Sequence, residues 1–334
     1  MKRYKSLWDE FISKENFALA AKKAVRSKKN KKSTQKFLAD SENLLEKLRQ
    51  SLIDGTFRTS NYRVFTIFEP KKRDIYELPL YPDHIVHHAI INILGPIWQK
   101  SFISDSYACI PGRGLHAASK RIMQFVRRNK YFLQCDVRKF FPSINHDVMM
   151  NILMQKIGDK RLLGVLDNIV RSVGGNTNLP IGNLTSQWMG NVYLHQLDMF
   201  VKHILHCRDY IRYCDDFCLF GNDKRDLWRK LAKIKDFVNE KLQLQLSKYF
   251  LRRCAQGVNM IGYRHFTKFI LLRRRGARKI SHRLKNIMFY NDVSKCAVGQ
   301  LAAAKGWLKW ACTYNFRKRF CAKANIGLGL MFFV

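Results

Sequence analysis

Hydrophobic residues recur at helical spacing in the first 55 residues of the chain, in particular Phe37, Leu38, Leu44, Leu45 and Leu48. Side chains three or four positions apart share one face of a helix, so this spacing predicts helices with basic connections between them. The turn-forming pair Asp54 and Gly55 then ends the run. The N-terminal region is therefore predicted to be helical.

The pattern changes between residues 62 and 80, where β-branched and aromatic residues flank the basic segment Glu69–Arg73. This arrangement predicts a hairpin with a basic tip. Residues 83–99 have the period of a helix, which we expect Gly95 and Pro96 to break.

Apolar runs of strand length lie at 131–137 and 210–220, and mostly helical sequence separates them. A third apolar segment bounded by turn residues is Val258–Tyr263, and basic helices are predicted from Ala277 onward. Strands interleaved with helices predict an α+β fold with a palm of the split βαβ type.

Composition narrows the possible partners. The chain has 334 residues, of which 47% are hydrophobic, so it can bury the core of two or three subdomains. Lys and Arg number 61 against 25 Asp and Glu, a formal net charge of +36. Nucleic acid is the leading partner for such a charge, because phosphate contacts release condensed counterions. An anionic membrane surface fits less well, since the charge is spread along the chain.

Two further features concern charge and compartment. The segment Arg26–Lys32 carries five positive charges and is predicted to be an exposed loop, with RNA contact and simple solvation both left open. The nine cysteines form no Cys-x-x-Cys pair, which favours reduced thiols, and the N-terminus lacks the apolar stretch of a signal peptide. We expect a soluble cytoplasmic protein.

Three segments carry the candidate chemistry. In the first segment, Leu133–Ile144, an apolar strand ends at Asp136, and two phenylalanines and a proline follow. The second, Leu179–Gln187, is rich in turn residues and opens a helix. The third, Ile211–Phe220, holds two adjacent carboxylates, Asp215 and Asp216, in an apolar run. An Asp-Asp pair alone is more often an ordinary exposed turn. The three segments together, with the excess of positive charge, make that interpretation remote.

Adjacent carboxylates inside an apolar run are costly to bury without a partner, and a divalent cation bound at a hairpin turn would offset that cost. Hard oxygen ligands suit Mg²⁺, with Asp136 completing the cage. Two such ions roughly 3.5–4 Å apart clamp the attacking and leaving oxygens of an in-line phosphoryl transfer. The segments therefore predict a two-metal nucleotidyl transfer site.

Three motifs follow one another along the chain: the Asp-x-x-x-Phe-Phe-Pro-Ser-Ile block, the Gly-x-x-x-Ser segment and the aromatic-x-Asp-Asp segment. In these motifs and in their order, the chain resembles the reverse transcriptases of bacterial retroelements, above all those of diversity-generating retroelements. The resemblance covers about residues 60–265. Ile181 and Gln187 fit that group, where retroviral and group II intron enzymes have Gln and Pro. Further matching segments are Glu69–Arg73, Ser106–Gly114 and Val258–Tyr263.

The resemblance implies a role for each matching residue. Asp136, Val137, Asp215 and Asp216 would form the metal site for two Mg²⁺, with Mn²⁺ able to substitute. The nucleotide site would consist of Lys71 and Arg73 at the triphosphate, Phe141 under the sugar, and Ile181 and Gly182 at the nascent base pair. Met260, Ile261, Gly262 and Tyr263 would grip the primer. Lys248 is the nearest candidate for a general acid, although its spacing departs from the usual pattern.

The resemblance also implies a right-hand polymerase architecture. Residues 1–130 would be N-terminal helices and fingers, 131–275 a palm with an inserted fingers segment at about 149–182, and 276–334 a helical thumb. The expected partners are template RNA, the cDNA primer or product, dNTPs and a small basic accessory protein, with no membrane. The enzyme would be encoded by a bacterium or phage and error-prone at template adenines. We expect no endonuclease, ribonuclease H or extended maturase segment in the residues after Gly276.

Two alternatives stay open at this point: a retron or other defence-associated reverse transcriptase, and a catalytically silent RNA-binding scaffold. Other patterns favour packing over metal binding or base stacking. They are the histidines that follow Asp83, the group of His203, His206 and Cys207 with Cys214 and Cys218, and two of the three aromatic residues Trp307, Trp310 and Tyr314.

Overall fold

A computed structural model of the chain describes residues 3–68, 71–289 and 294–324. Fourteen α-helices lie within these ranges. They are α1 (Trp8–Phe11), α2 (Lys14–Ala24), α3 (Lys32–Ala39), α4 (Ser41–Ile53), α5 (Ile85–Ser101), α6 (Leu115–Arg128), α7 (Phe140–Ser143), α8 (His146–Lys156), α9 (Lys160–Val170), α10 (Leu184–Met199), α11 (Lys224–Glu240), α12 (Arg274–Phe289), α13 (Lys295–Trp310) and α14 (Tyr314–Ala324).

Nine β-strands lie in the same ranges. They are β1 (Arg63–Ile67), β2 (Arg73–Glu77), β3 (Tyr131–Val137), β4 (Tyr210–Tyr213), β5 (Asp216–Gly221), β6 (Leu246–Arg253), β7 (Val258–Met260), β8 (Tyr263–His265) and β9 (Ile270–Leu272). The first two strands form an antiparallel hairpin, four strands follow the order β4-β5-β3-β6, and the last three form an antiparallel sheet. The predicted α+β class is confirmed.

The chain divides into two compact units, and the first comprises the described residues of 1–104, 136–206 and 231–248. The helix α5 packs against α2 and α10 in this unit and buries Ile85, Ile90 and Leu94. The carboxylate of Asp159 caps α9 and also accepts the backbone N–H groups of Leu7 and Trp8, at 3.1 and 2.9 Å. A single side chain thus joins the N-terminal segment to the helical core of this unit.

The helix α5 differs from the prediction that Gly95 and Pro96 break it, since it continues to Ser101. Pro96 removes one backbone donor from the helix. However, the side chains two positions before and after Pro96, Leu94 and Trp98, are both buried. The apolar surface that an unbroken helix removes from water outweighs one missing hydrogen bond.

The second unit comprises the described residues of 105–135, 207–230 and 249–334. Its core joins α6, β3, β5 and β8 through buried residues that include Phe125, Phe132, Phe220 and Tyr263. Three basic helices, α12 to α14, follow and share a smaller cluster around Leu284. The described part of the chain therefore confirms the basic helices predicted after Ala277.

The sequence predicts packing for two of the three aromatic residues Trp307, Trp310 and Tyr314, and two of them are packed. Trp307 lies 4.9 Å from the Tyr263 ring, and Trp310 donates its indole N–H to the Ser119 hydroxyl at 2.8 Å. Tyr314 is 59% exposed. Two of the three residues therefore stabilise the attachment of α13 inside the second unit.

Among the described helices, none combines the length and the apolar character that crossing a bilayer requires. The division into fingers, palm and thumb at the boundaries given above stays a prediction, as does the expected cytoplasmic location.

Candidate active site

The β4–β5 hairpin of the second unit presents the adjacent carboxylates. Tyr213 pairs with Asp216, so Cys214 and Asp215 form a two-residue turn. Cys214 has a φ of 55°, in the left-handed region that two-residue turns normally fill with glycine. Both aspartates are half-buried. The hairpin therefore holds two carboxylates at its tip on a backbone that is costly for a non-glycine residue.

Three polar side chains of the second unit support this turn. The fully buried Arg212 donates to the carbonyl oxygen of Cys214 at 3.1 Å. Gln134, from β3, donates its amide to both carboxylate oxygens of Asp216 at 2.9 and 3.2 Å. Burial lowers the pKa of Arg273, and the negative charge of Asp216 opposes that shift. These contacts orient Asp216 and place positive charge near it.

Sequence reasoning missed Gln134, Arg212 and Arg273. A signal existed for the first two, because each is a polar residue that interrupts an apolar strand, as the two aspartates do. Arg273 carries no such signal, since it belongs to a run of three arginines in a basic region.

Cys214 also contacts a second thiol of the same unit. A hydrogen bond with Cys109, burial and the nearby charge of Asp215 all raise the pKa of the Cys214 thiol. The Cys214 thiol therefore stays protonated, whereas the same hydrogen bond lowers the pKa of the Cys109 thiol to about 7.

Asp136 lies at the end of β3 and belongs to the first unit. Its Oδ2 accepts a hydrogen bond from the Ser247 hydroxyl at 2.5 Å. The next side chain, Val137, is 2% exposed, so only its backbone could contact a ligand. Lys139 follows with a φ of 42°, which turns the chain into α7. The strand predicted over 131–137 is confirmed as β3, and a serine of β6 orients the carboxylate of Asp136.

Phe141 lies in α7, half-buried. Its ring is 5.1 Å from that of Phe140, which is itself buried. A Cβ added to Gly190 of α10 would lie 3.3 Å from the Phe141 ring. Because Gly190 has no side chain, the Phe141 ring can pack against α10, and part of this ring stays accessible to solvent.

Ile181 and Gly182 form the turn that precedes α10. The backbone carbonyl of Ile181 accepts the N–H of Tyr76 at 2.8 Å, which ties this turn to β2. Gly182 has a φ of 133°, and a Cβ there would lie 2.4 Å from the carbonyl oxygen of Tyr76. Any side chain at Gly182 would collide with backbone, so the glycine is required by a close approach of two chain segments.

The predicted hairpin with a basic tip is confirmed as β1 and β2, although Glu69 and Pro70 lie outside the described residues. Lys71 and Arg73 are exposed at its tip. The hairpin also exposes apolar side chains, among them Phe68 at 73%. Both predicted triphosphate ligands are thus accessible within the first unit.

The predicted primer-contacting residues form the turn between β7 and β8. Met260 pairs with Tyr263, and Ile261 and Gly262 are the two turn residues, with φ of 52° and 85°. Met260 and Tyr263 are fully buried and Ile261 is 9% exposed. A ligand at this turn would therefore meet backbone more than side chains.

Metal binding can be assessed from the donor set. The candidate donors are carboxylates, which are hard oxygen ligands of the kind that Mg²⁺ prefers. No three His, Cys, Asp or Glu side chains within the described ranges are already arranged around one metal position. The Asp216 carboxylate instead faces Gln134. The carboxylate oxygens of Asp136, Asp215 and Asp216 are therefore ligands of the type that suits Mg²⁺.

Asp83 and the histidines that follow it, whose spacing imitates a metal site, make packing and hydrogen-bond contacts. His87 is buried and bonds through Nδ1 to the Thr185 hydroxyl at 3.0 Å. Burial, with the charges of His84 and His88, lowers the pKa of His87 to about 3. The Asp83 carboxylate accepts the backbone N–H of Ser60 at 3.0 Å. This cluster packs α5 against neighbouring segments of the first unit.

Residues 71–265 match the family described as reverse transcriptase (RNA-dependent DNA polymerase). The group II intron-encoded protein LtrA of Lactococcus lactis subsp. cremoris is 24% identical, over 73% of this chain and 52% of that protein. Protein YkfC of Escherichia coli (strain K12) is 24% identical, over 55% of this chain and 49% of that protein. The chain thus spans about half the length of these two relatives.

Among solved structures, apo telomerase from Candida tropicalis, truncated from the C-terminal domain, has a TM-score of 0.49 at 12% identity. The match covers 64% of this chain and 55% of that chain. The family match extends over more than half of the sequence and contains Asp136, Asp215 and Asp216. The chain therefore belongs to the reverse transcriptase (RNA-dependent DNA polymerase) family, whose fold is that of a right-hand polymerase.

Proposed function

We propose that the chain is an RNA-directed DNA polymerase that copies a template RNA into cDNA. The observation that carries this proposal is the strained β4–β5 turn, where Asp215 and Asp216 project from an otherwise buried hairpin. Strain of this kind persists where the surrounding structure holds it, commonly at functional sites. In a member of this family, metal-dependent nucleotidyl transfer is the chemistry that such a turn best serves.

Asp136, Asp215 and Asp216 would bind two Mg²⁺, with Mn²⁺ as a possible replacement and the backbone carbonyl of Val137 as a further oxygen donor. When bound, the ions would activate the primer 3′-hydroxyl and neutralise charge on the departing pyrophosphate. Ser247 fixes the orientation of the Asp136 carboxylate, and Gln134 does the same for Asp216.

The nucleotide would be held by residues that the first unit contains. Lys71 and Arg73 are accessible cations that can contact the triphosphate. Phe141 offers a ring face to the sugar and would exclude a ribose 2′-hydroxyl by its bulk. Ile181 and Gly182 would lie at the nascent base pair, where the exposed Gly182 allows backbone to approach closely.

The primer would be gripped through the backbone of Met260–Tyr263, because the side chains of that turn are buried. The basic helix α12 would belong to the proposed helical thumb (276–334) and would follow the backbone of the duplex through phosphate contacts. Fingers over 1–130 and a palm over 131–275, with an inserted segment at about 149–182, complete the proposed division. The function of Lys248 as a general acid stays a prediction; it is exposed on β6.

Primer extension on poly-rA primed with oligo-dT tests the proposed activity. The expected result is Mg²⁺-dependent addition of dTMP that chelation abolishes. A protein that binds the template tightly and extends no primer would instead be the silent RNA-binding scaffold.

We further propose that the chain serves a diversity-generating retroelement, together with a structured template RNA and a small basic accessory protein. Support comes from Ile181, which is half-buried in the turn before α10, and from the exposed Gln187 on α10. Ile offers no donor or acceptor to hold a correctly paired nucleotide, so discrimination against mismatches falls. A retron or other defence-associated enzyme remains the alternative.

The substitution Ile181→Gln tests the subtype. We predict that it lowers misincorporation opposite template adenine more than opposite the other bases, since each 1.4 kcal/mol of discrimination corresponds to about tenfold in selectivity. Deep sequencing of cDNA made from one defined template by both proteins measures the change. A wild-type error rate that is already low at adenine would contradict the assignment to this subtype and leave the polymerase activity untouched.

A further inference from the structure

The second unit contains a pocket that the proposed polymerase chemistry does not use. It has a volume of about 410 Å³ and lies between α6, the turn that joins β8 to β9, and the end of α13. None of the residues that match the family's catalytic segments lines it. Its lining includes three cations and two aromatic residues: Lys120, Arg127, Lys268, Phe269 and Trp310.

One wall of the pocket is fixed by specific contacts. The indole N–H of Trp310 donates to the Ser119 hydroxyl at 2.8 Å, and this hydroxyl in turn bonds to the buried His265 at 2.8 Å. The His116 ring stacks on the Trp310 ring at 4.3 Å. The backbone N–H of Cys312 donates to the carbonyl oxygen of Ile270, also at 2.8 Å. The wall is therefore preorganised, which reduces the entropic cost of binding.

The rim of the pocket is charged and accessible. The Lys120 ammonium lies 5.8 Å from the centroid of the Trp310 ring, and Arg127 Nε donates to the carbonyl oxygen of Thr267 at 3.1 Å. Lys120, Arg127 and Lys268 are exposed, and none of the described residues that line the pocket is acidic. Within the described ranges, neither Lys120 nor Lys268 makes an ion pair. Three cations therefore border the pocket with no acidic side chain in its lining, which favours an anionic ligand.

An aromatic face lies among these cations. Phe269 follows Lys268 at the tip of the β8–β9 turn and is 42% exposed. The Phe266 ring supports it from one side at 4.7 Å. The backbone N–H of Phe266 donates to the carbonyl oxygen of Phe269 at 2.9 Å, which closes the turn. A flat apolar ligand could stack on the accessible part of the ring.

We propose that this pocket binds a nucleotide within single-stranded nucleic acid, with the base on Phe269 and the phosphates on Lys120, Arg127 and Lys268. Aromatic faces beside cations bind single strands without sequence preference, since every base has a π-face. The inference does not depend on the proposed polymerase activity, because it uses none of the three carboxylates.

A strand fits this pocket better than a free nucleotide. Lys120 and Arg127 are seven positions apart on α6, which separates their backbones by about 10 Å along the helix axis. Successive phosphates of a chain can contact both cations at once. A mononucleotide carries its phosphate at one end only and would leave the second cation unused.

Photo-crosslinking tests the site directly. The full chain is irradiated with a single-stranded RNA that carries 4-thiouridine, and the crosslinked peptides are identified by mass spectrometry. We expect a crosslink in the peptide that contains Phe269. Its yield at subsaturating RNA should fall about tenfold in Phe269→Ala and be retained in Phe269→Tyr.

Matched controls separate this pocket from general RNA binding. Trp228 is an aromatic residue of the same unit with a similar exposure, 46%, outside the pocket, so Trp228→Ala should leave the crosslink yield unchanged. Lys268→Ala should reduce the slope of log affinity against log salt by roughly 0.7, while Lys47→Ala on α4 should leave it unchanged.

Three outcomes would overturn the proposal. They are the lack of a crosslink near Phe269 at saturating RNA, a crosslink that Phe269→Ala does not weaken, and displacement of the RNA by stoichiometric free AMP, which would mark a mononucleotide site. Primer extension by the same variants distinguishes the two accounts. In the wild-type protein, the lack of a crosslink with normal extension contradicts this site alone, and a normal crosslink without extension contradicts the polymerase proposal alone.

Discussion

Two hairpin turns of the second unit share a left-handed non-glycine residue at their first position and have opposite surroundings. The β4–β5 turn has Cys214 at a φ of 55°, and the β7–β8 turn has Ile261 at 52°, so each places a non-glycine residue where glycine is normal. The first turn leaves Asp215 and Asp216 half-buried, whereas the second buries Met260 and Tyr263 completely.

The contrast teaches that a strained turn can serve either chemistry or packing. At the β4–β5 turn the strain presents polar groups, and buried polar partners such as Arg212 hold the backbone in place. At the β7–β8 turn the strain brings Gly262 against the ring of Trp307, where α13 attaches. Substitutions in the first turn should therefore change activity, and substitutions in the second turn should change stability in addition to the primer contact proposed above.

The largest expected effect tests the first half of this contrast. Asp215→Asn should reduce DNA synthesis by about a thousandfold or more, because it removes a metal ligand and not a phosphate contact. RNA affinity, measured by fluorescence anisotropy, should stay within about twofold of wild type. The control is Asp226→Asn on α11, which removes an ion pair with Lys230 at 2.7 Å and should keep full activity. Synthesis by Asp215→Asn within about tenfold of wild type would contradict the assignment.

The second prediction tests the other half. Gly262→Ala should destabilise the protein by about 2 kcal/mol, since its Cβ would lie 2.6 Å from the Trp307 ring at a φ of 85°. Urea unfolding followed by circular dichroism measures this. Gly276→Ala is the matched control, because a Cβ there meets nothing within 4 Å and α12 should gain stability. Equal stability of the two variants would remove the structural role of the β7–β8 turn.

The third prediction asks whether Phe141 contacts the nucleotide or only packs in the core, since its ring is half-buried. If the ring contacts the sugar, Phe141→Ala should raise ribonucleotide incorporation about tenfold, and Phe141→Tyr should retain discrimination. Steady-state incorporation of rNTP and dNTP gives the ratio. An unchanged ratio together with a lower melting temperature would place Phe141 with the packing residues.

The smallest expected effect concerns the basic segment Arg26–Lys32 of the first unit, whose cations are exposed except for the half-buried Lys28. Neutralising Arg26, Lys28, Lys29, Lys31 and Lys32 should weaken template RNA binding and lower the salt dependence by roughly 0.7 for each single-strand phosphate that the segment no longer neutralises. Titrations at several salt concentrations measure the slope. A slope equal to that of Lys47→Ala would mean that the segment is merely solvated.

Local patterns predicted most of the elements. The strand that contains Asp136, the hairpin around Asp215 and the helix that begins at Leu184 all follow from apolar periods and turn residues close by in the chain. The sequence could not reveal that Gln134 bonds to Asp216, because that contact joins residues far apart in the chain. It also could not reveal burial at Met260, since a short apolar segment looks alike whether it binds a ligand or packs in a core.

The helix α5 shows a second limit of sequence reasoning. Gly95 and Pro96 are strong local breakers, yet the helix continues because tertiary packing on both sides of Pro96 overrides local propensity. The same limit applies to Cys214 and Ile261, whose left-handed conformations no local rule predicts for a non-glycine residue.

One measurement tests the central claim most directly: copying of a defined RNA of mixed sequence by the wild-type protein, with the product sequenced and pyrophosphate quantified in the same reaction. We predict DNA complementary to the template, one pyrophosphate released for each nucleotide added, and no product after Mg²⁺ is chelated. The absence of template-complementary DNA at protein concentrations that saturate RNA binding would contradict the account.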